Sequence, residues 1–130
     1  MGRHMVSYSQ ARKIAEAWVE VMTNGGAAVY HARTRMKPYG WLFCWNSKQY
    51  LADPSNEEAA LIGNVPIFVD RINGEVLCTS PRINEWFSQY EASIPKARLE
   101  MVPELPGLEG NESSDGNAYQ SFQQTAFGGR

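Results

Sequence analysis

Between Tyr39 and Tyr50 the chain reads Tyr-Gly-Trp-Leu-Phe-Cys-Trp-Asn-Ser-Lys-Gln-Tyr, with Trp41, Phe43 and Trp45 at every second position. Side chains alternate faces along a strand, so these three rings share one side, and Leu42, Cys44 and Asn46 take the other. Burying each ring is worth roughly 1.5 to 3 kcal/mol, so the pattern predicts a central strand whose aromatic side is closed under helices. Upstream, Ala11, Ile14, Ala15, Trp18, Val21 and Met22 recur at helical spacing, while Arg12, Lys13, Glu16 and Glu20 point elsewhere. The spacing predicts an amphipathic helix over 8–23. Ser7 and Gln10 supply the two halves of a capping box at its start, and Asn24-Gly25-Gly26 supplies its stop.

From Ala27 to Met36 a period of two places Val29, His31, Arg33 and Arg35 on one side, which predicts a single strand with a basic, solvated face. Lys37-Pro38-Tyr39-Gly40 turns it into the aromatic strand as a hairpin. The pattern is lost from Asn46 to Asn56, and Ala52-Asp53-Pro54-Ser55-Asn56, carrying Glu57 and Glu58, is expected to be the most mobile loop. A third strand is predicted over Val65 to Asp70, with Pro66 near its start or at an edge. Asn73-Gly74 predicts a type I′ hairpin into a fourth strand, Glu75 to Thr79. Ser80 is expected to cap a second helix with Pro81 at its first position, and Ile83, Trp86, Phe87 and Tyr90 form its apolar stripe. Both helices are expected on the same sheet face.

The predicted fold class is α+β: a four-stranded, mainly antiparallel sheet with two helices packed on one face and a disordered C-terminal tail. The 130 residues, 43% of them apolar, suffice for one core. Met1 to Met5 reads as an expression-vector remnant, 6–95 as the domain, and 96–130 as irregular to disordered chain. Tyr119, Phe122 and Phe127 punctuate that tail and offer docking points to a partner or to the body. There is no internal repeat, and no window approaches the roughly 20 apolar residues of a membrane span, so a cytoplasmic protein without membrane contact is expected.

A net charge of -2 conceals an asymmetry: residues 1–52 hold seven Lys or Arg against two Glu, and the remainder five against twelve acids. Arg33, Arg35 and Lys37, near Tyr39, form a short basic run, but the pI of about 5.7 opposes nucleic-acid binding. Cys44 and Cys78 lack metal-ligand spacing and are expected to be buried free thiols, with a disulfide open if their strands are neighbours. An enzyme would need one of them activated by His31, and nothing in the spacing supports that pairing. Adjacent Glu57 and Glu58 diverge on either a helix or a strand, and Gly25-Gly26 and Gly63-Asn64 are turn chemistry without phosphate-loop spacing. No catalytic, cofactor or metal site is expected, and no small-molecule substrate.

The order helix, hairpin, Pro-containing strand, Asn-Gly hairpin, helix resembles the immunity protein 35 (YrhB-like) family. The likeness rests on Tyr39-Gly40-Trp41, Val65-Pro66-Ile67-Phe68-Val69-Asp70, Asn73-Gly74 and the Trp86 to Tyr90 helix, and covers roughly Val6 to Ile94. Cys78-Thr79-Ser80 departs from it where a small residue before the Thr is expected. The resemblance implies a non-enzymatic immunity protein that binds a cognate toxin of a bacterial polymorphic-toxin system and blocks it, as a monomer or weak dimer. One branch of the family is associated with chaperone-like behaviour, so a holdase or accessory binding module is the alternative. Protein inhibitors work through complementary surface, with aromatic anchors and charged rims. The partner-binding residues expected on that basis are Tyr50 as anchor, Asp53, Glu57 and Glu58 on the loop, and Asp70 and Glu75 near the second hairpin.

Overall fold

In the computed structural model, which describes residues 5–104, helix α1 (Tyr8–Met22) begins where its capping box places it. The Ser7 hydroxyl accepts from the Gln10 backbone N-H at 3.1 Å, and the Gln10 side chain accepts from the Ser7 N-H at 2.9 Å. It ends as Asn24 and Gly25 enter the left-handed region, at φ 54 and 81. Its buried stripe is Tyr8, Ala11, Ala15 and Val19, with Ile14 and Trp18 packed beside them. Val21 and Met22, expected in the stripe, are exposed. Val21 lies about 200° around the helix from Val19, on the solvent side.

The Ala27–Met36 stretch is not one strand. It forms β1 (Ala27–Val29), a 3-10 turn (His31–Arg33) and β2 (Arg35–Lys37), and the aromatic stretch divides likewise into β3 (Gly40–Phe43) and β4 (Trp45–Ser47). Val29 faces Trp45 in a two-stranded β1–β4 ribbon, while Arg35 faces Leu42 in the main sheet. Between those pairs the first arm holds residues 30–34 and the second only 43 and 44, so the surplus closes into the 3-10 turn and the hairpin breaks there. The Tyr30 N-H still reaches the Cys44 carbonyl, at 2.7 Å.

The main sheet is antiparallel, in the order β2-β3-β5-β6, with β5 at Ile67–Asp70 and β6 at Val76–Cys78. Met36, Trp41, Phe43, Ile67 and Val69 face α1. Leu42 and Phe68 face the other way and pack with Tyr39, Phe87 and the half-buried Ile83, Trp86 and Tyr90 of α3 (Ile83–Ser93). The two helices therefore cover opposite faces of the sheet, which corrects the expectation of a single covered face. The reason lies in β5, where Ile67, Phe68 and Val69 form an unbroken apolar run buried on both sides. The α+β class and the four-stranded antiparallel sheet stand as expected.

Helix α3 starts two residues later than Ser80 predicts. The Ser80 hydroxyl closes a local turn by accepting from the Arg82 N-H at 3.2 Å, and Arg82 takes the cap position. The Asn73-Gly74 hairpin forms, but only Gly74 has positive φ, so residues 71–74 make a four-residue connection in place of a type I′ turn. The Gly74 N-H reaches the Asp70 carbonyl at 2.8 Å, and the Asp70 N-H reaches that of Glu75 at 2.9 Å. Beyond α3, a short α4 (Lys96–Leu99) packs against the second core, and the Arg71 guanidinium donates to the Val102 carbonyl at 2.6 Å. The predicted disordered tail beyond Glu104, with Tyr119, Phe122 and Phe127, and residues 1–4 of the expected vector remnant lie outside the described residues.

Gly40 lets β3 approach β5. A Cβ there would sit against the Val69 carbonyl oxygen and 2.5 Å from Cζ of Phe68. Gly40→Ala is expected to lower stability by about 1–3 kcal/mol, read as a lower urea midpoint at unchanged slope.

Candidate functional site

The surface that the sequence leaves without pattern is tied to β4. Ser47 caps α2 (Lys48–Ala52), accepting from the Tyr50 N-H at 3.0 Å, and its hydroxyl donates to the Ala59 carbonyl at 2.6 Å. Asn46 Oδ1 accepts from the Leu61 N-H at 2.7 Å, Asn64 Nδ2 donates to the Trp45 carbonyl at 2.6 Å, and the Trp45 indole donates to the Val65 carbonyl at 2.8 Å. Four bonds thus hold residues 59–65 against one strand. The loop expected to be the most mobile, residues 52–56 with Glu57 and Glu58, runs from the end of α2 to this anchored stretch, and its own backbone bonds are local, with the Asp53 N-H reaching the Gln49 carbonyl at 3.1 Å and the Asn56 N-H the Asp53 carbonyl at 2.9 Å. The only sequence signal for α2 was Ser47 as an N-cap, which a five-residue helix with no apolar period does not reinforce.

Asp53 ends α2 and turns the chain, its carboxylate accepting from the Ser55 N-H and hydroxyl at 3.2 and 2.6 Å. A second 3-10 turn (Glu57–Ala59) follows, and Asp53, Glu57 and Glu58 are all exposed. None of the three is ion-paired among the described residues. Next to them Leu61 and Ile62 are exposed, Ile62 at 94%. Beside the loop lies an open groove of about 240 Å³, lined by Tyr30, Arg33, Cys44, Trp45, Asn46, Tyr50, Asn64 and Pro66. Tyr50 therefore joins the acidic loop to the groove, and the Arg33 guanidinium stacks over the Tyr30 ring at 5.4 Å.

The structure separates the other two expected contact residues from this surface. Asp70 is only 1% exposed and accepts from the Tyr90 hydroxyl, from the Ile72 N-H at 2.7 Å and from Arg98 at 3.4 Å. It is a core anchor and offers no surface to a partner. Glu75 is exposed, at the end of β5 away from Pro66. On the same side of the sheet as α3, Glu91 accepts from the Tyr39 hydroxyl at 2.6 Å and pairs with Lys37 at 3.4 Å. Burial first, then the hydrogen bond to a carboxylate, raises the ionisation of Tyr39 and of Tyr90 well above the ordinary tyrosine range.

The basic run is engaged and does not form a bare solvated face. Arg35 and Lys37 lie over the Phe87 ring at 5.6 and 4.4 Å. His31 contacts Glu16 at 2.9 Å, and Glu16 also holds Arg12 at 3.1 Å. The Cys44 thiol donates to the Arg33 carbonyl at 3.8 Å, and burial raises its pKa despite the opposing pull of Arg33 and Arg35, which keeps it a thiol. Both cysteines are free, and Cys78 is exposed where a buried thiol was expected. Among the described residues there is no group of three or more His, Cys, Asp or Glu able to hold a metal ion, and no helix long and apolar enough to cross a membrane.

Fold and surface together define a small α+β domain, a four-stranded antiparallel sheet between helices with a two-stranded ribbon beside it, whose accessible chemistry is an exposed acidic loop and an anchored apolar segment beside an open groove. The chain belongs to the immunity protein 35 family, whose model matches residues 9–93. It is also 35% identical over 54 residues to the Escherichia coli (strain K12) protein YrhB, a match that covers 40% of this chain and 56% of the relative. The chain thus spans little more than half the length of the curated relative it matches. No solved structure matches it.

Proposed function

We propose that the chain binds a cognate bacterial protein toxin in the cytoplasm of the producing cell and neutralises it by covering its functional surface, with no chemistry of its own. The observation that carries this reading is the exposed acidic segment of Asp53, Glu57 and Glu58, which runs between α2, with Tyr50 on the groove, and the stretch 59–64 that β4 holds. Three exposed carboxylates, in no ion pair among the described residues, suit a basic target. They speed its approach. The holdase alternative needs an apolar patch of several hundred Å², and the aromatic side of β3 does not provide it, because Trp41 and Phe43 are fully buried.

The product of the gene adjacent to this chain's own is the toxin to test. Tight one-to-one binding with loss of toxin activity is expected, whereas broad, weak suppression of aggregation of unrelated proteins would identify a holdase. Reversing the charge of Asp53, Glu57 and Glu58 together is expected to slow association by about tenfold or more at low salt and to flatten its salt dependence. Stopped-flow measurement across ionic strengths checks this, and an unchanged on-rate would remove the loop from the interface.

A further inference from the structure

The acidic residues explain attraction but not a durable complex, because rim charges act mainly on the rate of encounter while slow dissociation comes from a few desolvated anchors. Ile62 has the properties of such an anchor. It is 94% exposed, with Leu61 beside it at 40%. A lone exposed aliphatic residue is ordinary on a protein surface. This one differs in its support. Leu61 is bonded through its N-H to Asn46, Asn64 is bonded through its side chain to the Trp45 carbonyl, and Gly63 between them turns at φ 89 into open space. The chain is therefore gripped on both sides of a projecting apolar tip, so little backbone freedom is lost when that tip is buried. Residues 53–64 carry three acids and no Lys or Arg, so the segment that presents the tip is acidic.

We propose that Leu61 and Ile62 form an apolar prong that inserts into a socket on the toxin, and that the socket is rimmed by Arg or Lys facing Asp53, Glu57 and Glu58. The proposal rests on the toxin-neutralising reading and names the anchor and the chemistry of the surface that receives it. A second copy of this chain is the other occupant to test.

Calorimetric titration of the adjacent gene's product with the full chain and with Ile62→Asp and Ile62→Leu separates the outcomes. Ile62→Asp is expected to raise Kd by about thirtyfold or more through faster dissociation, and Ile62→Leu to stay within a few-fold of the parent chain. Both variants should keep the parent circular dichroism and melting temperature, since a side chain this exposed contributes no core packing. Wild-type affinity in Ile62→Asp would overturn the prong while leaving the toxin-neutralising reading in place. Absence of binding by the wild-type chain would overturn both. A concentration-dependent dimer of the wild-type chain that Ile62→Asp abolishes, with toxin affinity unchanged, would assign the prong to self-association and overturn the proposal.

Discussion

Trp41→Ala is expected to lower the free energy of unfolding by about 3–5 kcal/mol, the range for removing a large aromatic from a packed core. Trp41 is fully buried in the middle of β3, paired across the sheet with Met36 on one side and Val69 on the other. Its ring meets the Tyr8 ring edge-on at 5.9 Å, and its indole N-H donates to the Glu104 carbonyl at 3.2 Å. Truncation thus leaves a cavity between sheet and α1 and removes the bond to the Glu104 carbonyl. Urea denaturation of the variant checks the loss. A Trp41→Ala chain of parental stability that no longer binds the toxin would show that the aromatic face meets the partner and is not core.

Asp70→Ala is the second large effect, about 3–5 kcal/mol, because it removes a buried carboxylate that three half-buried partners share. The Ile72 N-H, the Tyr90 hydroxyl and the Arg98 guanidinium each lose this acceptor. Asp70→Asn keeps the shape and removes the charge. It is expected to lose less stability and to let Tyr90 ionise at lower pH, visible in an ultraviolet titration, since Asp70 adds to the shift that burial begins. Linkage gives the wider pH dependence. Tyr39 and Tyr90 ionise at higher pH in the folded chain than at their ordinary value of 10, so the stability they contribute is complete below about pH 10 and is lost as pH rises beyond it. Because Asp70 is buried, the folded Asp70→Asn chain should associate with the toxin at the parental rate.

Local signals were legible wherever the chain's own chemistry was sufficient. The capping box of Ser7 and Gln10, the Asn24-Gly25 stop and the alternation of Trp41 and Phe43 all act within a few residues, and each appears as read. The acidic loop with Asp53, Glu57 and Glu58 was legible as exposed, and Tyr50 as its neighbour. Asp70 was misplaced because a carboxylate at a strand end reads as solvated, and only the arrival of Tyr90 and Arg98 from 20 and 28 residues away supplies the partners that let it be buried. The anchoring of residues 59–65 was invisible for a similar reason. Asn46, Ser47 and Asn64 are ordinary polar residues until β4 brings them against the backbone they hold.

By itself the sequence determined the elements and which residues need burial, because backbone preference and hydrophobic period are properties of neighbours along the chain. The aromatic stretch was thereby marked as core material. Tertiary structure alone decided that the stretch splits at Cys44, that Trp45 serves a separate ribbon, and that α3 covers the side of the sheet opposite α1. Those outcomes depend on register between arms of unequal length and on how many faces of β5 must be kept from water, and both are settled only when distant segments meet.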